Sequence, residues 1–268
     1  MSSRSKASLS TGVKVPRKTD LPAQDVRSFR ALLKEVLAEK DEEGRTWSSS
    51  KWGVYAFYDY DGEPIYVGQT NEQLRVRVQR HLTNQRTDAV AMRILDIFEV
   101  AEIEIWPLWD LADKPAKDKE ALLALNAAEY TAYLGAIENS RFRAILNEKI
   151  PPVSDPVQLP ASLRRPLVSE ETREEREHPD IRIARRAETI SRLAAVARER
   201  GEVSPGLRRV LVIQAVRLAF LAAERLAYVE GRPTPDPADI SVEALVGSVL
   251  SESADPTGDD ADLNDASV

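Results

Sequence analysis

Five prolines fall between positions 151 and 166, at Pro151, Pro152, Pro156, Pro160 and Pro166. Each fixes its own φ and removes a backbone donor, so neither a helix nor a central strand can run through the stretch. The chain must organise itself on either side of it, and the two sides read differently. We place a linker over residues 151–168, between a mixed helix and strand domain at 21–150 and a helical binding or assembly domain at 169–250. A basic N-terminus (1–20) and an acidic tail (251–268) flank them.

The residue inventory narrows the chemistry. With no cysteine, a disulfide framework, a thiolate-held metal and a cysteine nucleophile are all excluded. The two histidines, His81 and His178, argue against a multi-histidine metal site. No apolar core follows the first charged residues, and the longest apolar run, 210–229, is broken by Arg217, Glu224 and Arg225. The expectation is a cytoplasmic protein without a membrane span.

The formal net charge of −7 is unevenly spread. Residues 1–20 carry five basic side chains and one acidic, residues 161–232 carry fifteen arginines against eleven acids, and residues 251–268 carry six acids and no base. Both tails lack the apolar content to offset chain entropy and are expected to be disordered.

Upstream of the prolines, residues 23–40 show a helical period through Val26, Phe29, Leu32, Leu33 and Val36. Residues 53–60 are aromatic and β-branched, Asp61-Gly62 is a turn signal, and residues 64–68 resume the extended pattern, which together predict a β-hairpin. Thr70 or Asn71 can cap a helix running to Leu82. A third strand is expected over 99–107, where Val100, Ile103 and Ile105 alternate with glutamates, and a long helix over 119–137. Downstream, residues 181–200, 205–230 and 236–250 read as helices. The fold class is thus α/β (α+β), a small three-stranded, mostly antiparallel sheet flanked by helices, followed by an all-helical C-terminal domain. The helix at 207–228 is apolar on most of its surface and needs covering, by its neighbours, a second copy in a homodimer or a protein partner.

The residues that could carry chemistry lie between 53 and 147. Gly53-Val54-Tyr55 and, eleven residues after Tyr55, Tyr66-Val67-Gly68 sit on the two arms of the hairpin. On the next helix Arg77 and His81 are four apart, on one face, where they can address one phosphate. Glu129 projects from the apolar stripe formed by Leu122, Leu125, Ala132, Tyr133 and Ala136, where a carboxylate needs a cation or strong hydrogen bonds. Trp47, Trp52, Trp106 and Trp109 read as core or rim residues, with base stacking as the alternative, and His178 as surface.

Taken together these pieces resemble the GIY-YIG nuclease superfamily. The resemblance is carried by Gly53-Val54-Tyr55, Tyr66-Val67-Gly68, Leu74-Arg75-Val76-Arg77 leading to His81, then Glu129, then Asn147 after Ile145-Leu146. It spans residues 51–150. Valine replaces isoleucine in the first motif, and residues 83–98 do not align. Arg75 and Arg80 lie near the expected arginine, but Arg77 fits best, three after Leu74 and four before His81.

The resemblance implies an endonuclease, a phosphodiester hydrolase acting on DNA. Glu129 would bind one divalent metal ion, magnesium, a hard cation that accepts a single carboxylate together with water and phosphate oxygens. Arg77 would clamp the scissile phosphate with its planar fork. Tyr55 would position or deprotonate the attacking water, Tyr66 would contact the phosphate, and His81 would polarise a tyrosine or bond the nucleic-acid backbone. Gly53, Gly68 and Asn147 would be structural, Asn147 fastening the segment after the long helix to the hairpin. Residues 51–150 carry twelve basic against sixteen acidic side chains, an unusual balance for a DNA-binding surface. Phosphate contacts could come from the basic N-terminus and the arginines of 161–232, unless those arginines are merely the polar sides of amphipathic helices. The alternative function is a non-catalytic nucleic-acid-binding or assembly protein on a nuclease scaffold.

Overall fold

Strands β1 (Gly53–Tyr58) and β2 (Pro64–Thr70) pair antiparallel, in a computed structural model that describes residues 22–83 and 94–252. The expected disordered segments, 1–20 and all but the first two residues of 251–268, lie outside the described residues, as do residues 84–93 of the stretch that does not align. The hairpin turn is built as its sequence suggests. Gly62 takes φ +71°, and Asp59 accepts the amides of Asp61 and Glu63 through Oδ1 at 2.9 and 3.1 Å.

Strand β3 (Glu102–Pro107) pairs antiparallel with the other edge of β1, with Tyr55 opposite Ile105 and Phe57 opposite Ile103. Its alternation is plain, Ile103 and Ile105 buried between half-exposed Glu102, Glu104 and Trp106. The expected three-strand sheet is corrected by a fourth strand, β4 (Leu163–Pro166), giving the order β2-β1-β3-β4. It comes from the proline stretch itself. An edge strand needs ladder bonds on one side only, so four residues bounded by Pro166 suffice, with Leu163 buried and Arg164 and Arg165 facing solvent.

Helix α1 (Gln24–Val36) buries Phe29, Leu33 and Val36. Helix α2 (Leu74–Thr83) follows the hairpin, and α3 (Lys119–Asn139), capped by Asp118 on the Ala121 amide at 2.9 Å, packs on β1 and β2. Then come α4 (Glu170–Arg176), α5 (Pro179–Arg200), α6 (Pro205–Glu230) and the short α7 (Val242–Val246). The helix expected over 236–250 shrinks to α7 and one preceding 3-10 turn, because Pro235 and Pro237 delay its start. Among the described residues no helix is long and apolar enough to cross a membrane.

The helices after β4 do not form a separate all-helical unit. One continuous core contains Leu33, Val54, Ile103 and Leu125 together with Leu193 of α5 and Val210 and Phe220 of α6. Helix α6 is therefore covered largely by its own chain, leaving Leu226, Tyr228 and Val229 exposed near its end. Trp52 is fully buried, Trp47 and Trp106 pack against the core, and Trp109 lies under the Arg45 guanidinium at 4.5 Å.

Three arginines of the helical part are neither solvated nor available to phosphate. Arg182, Arg186 and Arg217 are 2, 4 and 2 % exposed. All three donate to Asp59 Oδ2, at 3.0, 3.0 and 2.8 Å. Arg186 also reaches Glu99 at 3.1 Å, and Arg217 lies 3.7 Å from Glu63. Glu63 in turn accepts from Ser140 Oγ at 2.6 Å and the Arg141 amide at 3.0 Å. The network ties the hairpin turn to α5, α6 and the end of α3. Sequence periodicity had offered phosphate contacts or a polar helix face for these residues, and burial with carboxylates replaces both.

Candidate active site

Helix α2 is oriented by Leu74, Val78 and Leu82, which bury along one side at every fourth position. Leu74 rests on Gly53, where an added Cβ would come within 2.6 Å of its Cδ1. That contact sets the helix against the sheet and turns Arg77 and His81 toward the hairpin rings. Of the three neighbouring arginines only Arg77 borders the pocket described below. Arg80 pairs with Glu72 at 2.7 Å, and exposed Arg75 donates to Gln73 at 2.9 Å.

The His81 ring lies 5.1 Å from Tyr66 and 5.9 Å from Tyr55, edge-on to the latter. Phe57 stacks on Tyr66, its cross-strand partner, at 5.9 Å. Tyr55 is fully buried, and its hydroxyl accepts from Arg77 Nε at 3.4 Å. Its ring lies over Gly68, where a Cβ would meet the Tyr55 hydroxyl at 2.6 Å and Cζ at 2.7 Å. We therefore expect Gly68→Ala to tilt the ring and break the bond to Arg77. A structure of the variant beside a thermal melt would check it, and a folded variant with the Tyr55 hydroxyl still on Arg77 Nε would contradict it.

Glu129 is 8 % exposed on the apolar side of α3, and no donor among the described residues hydrogen-bonds it. Burial pushes its pKa up to about 7, against the opposing pull of Arg77. One turn earlier, Asn126 accepts from Gln69 Nε2 at 2.9 Å, which leaves Gln69 Oε1 buried without a partner. Burial, then Arg77 and Arg80, lowers the His81 pKa to about 4, so this imidazole is neutral at pH 7. Burial raises Tyr55 and carries Tyr66 well above the usual phenol range.

A cavity of about 450 Å³ gathers these groups. Tyr66, Gln69, Arg77, His81 and Glu129 border it, together with Ile94 and Leu95 and the segment 147–152. Tyr55 is not among the lining residues and stands behind Arg77. Asn147 takes the place of a strand partner for β2, accepting from the Val67 amide at 3.0 Å and donating to the Val67 carbonyl at 2.8 Å. The Leu146 amide adds a bond to Ile65 at 2.8 Å.

Among the described residues no group of three or more His, Asp or Glu side chains forms a ready-made metal cluster. The oxygen donors present, a carboxylate and an amide oxygen that have no hydrogen-bond partner among the described residues, fit a hard cation that keeps most of its water. Sequence reasoning passed over Gln69, Asn126 and the wall at 148–152. Gln69 directly follows Gly68, and Lys149 stands two residues after Asn147, so proximity was the only signal.

Residues 51–124 match the family model of the GIY-YIG catalytic domain. The match takes in Gly53, Tyr55, Tyr66, Gly68, Arg77 and His81 and stops short of Glu129 and Asn147. No curated protein and no solved structure matches the chain.

Proposed function

We propose that this chain is a divalent-metal-dependent DNA endonuclease, hydrolysing phosphodiester bonds in the pocket bordered by Tyr66, Arg77, His81 and Glu129. One observation carries the reading. A guanidinium, a neutral imidazole, a phenol and a carboxylate without a donor among the described residues, drawn from β2, α2 and α3, converge on a single cavity.

Glu129 would hold the cation, with Gln69 Oε1 as a second oxygen nearby on the pocket wall. When bound, magnesium would neutralise charge on the phosphate and the leaving oxygen. The remaining work falls to the chain. Arg77 binds the non-bridging oxygens and stabilises the charge that accumulates on them in the transition state. The Tyr55 hydroxyl fixes the guanidinium through Nε, leaving its two terminal nitrogens for the phosphate. Tyr66, held protonated by burial, orients the attacking water. His81, neutral at pH 7, accepts the proton of the attacking water.

Incubating the protein with supercoiled plasmid, with magnesium or with chelator, tests the reading. Nicking that requires the metal supports it, and a chain inert under both conditions refutes it. The pH dependence supplies a further check. Glu129 must be ionised to hold a cation, and with its pKa near 7 that fraction rises about tenfold from pH 6 to pH 8. Magnesium affinity measured by calorimetry should therefore be about tenfold tighter at pH 8 than at pH 6, with proton release at the lower pH. Equal affinities would count against Glu129 as the ligand.

A further inference from the structure

The pocket wall at 147–150 is braced at every position except one. Asn147 is clamped to Val67 on both sides of its amide. The Glu148 carbonyl accepts from Arg209 Nη2 of α6 at 2.8 Å, and its carboxylate accepts from Ser204 Oγ at 2.6 Å. The first turn of α6 approaches so closely that a Cβ on Gly206 would fall 1.9 Å from the Glu148 carbonyl oxygen. Beyond, the Ile150 amide donates to Glu252 Oε1 at 2.8 Å, and Glu252 pairs with Arg209 at 3.2 Å. Arg209 thus joins both flanks of the intervening residue. That residue, Lys149, is exposed, borders the pocket and makes no hydrogen bond or ion pair among the described residues.

We propose that Lys149 is a DNA-positioning residue, contacting a substrate phosphate next to the one held by Arg77, on a wall that α6 and Glu252 hold rigid for the purpose. The inference rests on the nuclease reading. Among the described residues the two cations on the pocket lining have different chemistry suited to different tasks: the planar fork of Arg77 for the reacting phosphate, and a compact ammonium on a flexible stem for a neighbouring one. Lys149 is one of the few basic residues of 51–150, and it stands at the pocket rather than on a broad basic surface. Buried Arg182, Arg186 and Arg217 cannot serve that role.

The test is binding of a fluorescein-labelled DNA duplex by the full chain in chelator, read by anisotropy across a salt series, for wild type, Lys149→Ala, Lys149→Arg and Lys117→Ala. Lys117 is exposed and does not border the pocket. Loss of one phosphate contact should weaken binding several-fold and lower the slope of log affinity against log salt by about 0.9. Lys149→Arg should restore both, and Lys117→Ala should change neither. Under cleavage conditions Lys149→Ala should raise KM with kcat within about twofold, the pattern of lost uniform binding. Wild-type affinity and slope in Lys149→Ala, or an equal change in Lys117→Ala, would overturn the inference while leaving the nuclease reading intact. A wild type that neither binds nor cleaves DNA would remove that reading, and Lys149's role with it.

Discussion

Arg77→Ala is expected to lower the cleavage rate by about two to three orders of magnitude, the usual cost of removing one preorganised donor from a developing oxyanion. The fold should survive. Arg77 is half-buried on α2, whose anchorage comes from Leu74, Val78 and Leu82, and alanine favours the helix. DNA affinity should fall far less than the rate, because the guanidinium acts most strongly on charge that exists only in the transition state. Arg77→Lys should recover little, since an ammonium can neither span two phosphate oxygens nor donate to Tyr55 while doing so. Single-turnover nicking under enzyme excess separates these effects. A loss of less than about tenfold in a folded Arg77→Ala protein would mean that another group stabilises the phosphate.

Asp59→Asn is expected to cost about 3–5 kcal/mol of folding stability, the range for breaking a buried ion network by removing one partner. Asp59 is 1 % exposed, and its Oδ2 receives Arg182, Arg186 and Arg217 together. The asparagine can keep Oδ1 on the Asp61 and Glu63 amides, so the turn itself is spared and the loss isolates the charge. Three guanidinium groups would then share Glu63 and Glu99, with Arg182 keeping the more exposed Asp61 at 2.8 Å. Denaturant unfolding gives the number directly, and a change under about 1 kcal/mol would show the arginines finding other partners. The effect should extend to activity through the hairpin, because the strands leaving this turn carry Tyr55 and Tyr66.

How much of this could be read in the sequence depends on how local each signal was. The hairpin is written in aromatic strands around Asp61-Gly62, and the faces of α2 and α3 follow from spacing of three and four, which singles out Arg77, His81 and Glu129 as side chains off the buried stripes or in conflict with them. Strand β4 had no such signal. Four residues between prolines carry no periodicity, and what makes Leu163–Pro166 a strand is the free edge of β3. The arginines of α5 and α6 were unreadable for a related reason. Arg182 and Asp59 lie more than a hundred residues apart, and a helical arginine destined for burial has the same local pattern as one that faces water. The expectation of a separate helical domain failed with them, since these pairs and the shared apolar core join the helices to the sheet. The pocket wall at 147–150 depends likewise on α6 and Glu252, contacts that only the folded chain creates.

The most direct test of the account is single-turnover cleavage of supercoiled DNA by wild type and Glu129→Gln at equal concentration, with magnesium and again after chelation. Glutamine keeps the shape of a buried carboxyl side chain but removes the charge that would hold a cation. The account predicts nicking by the wild type in magnesium only, and none above background from a Glu129→Gln protein that melts no lower than wild type. Cleavage of equal rate by the two proteins would contradict Glu129 as the holder of the cation, and a wild type that binds DNA without cutting it in any divalent cation would contradict the account outright and leave a nucleic-acid-binding protein on a nuclease scaffold.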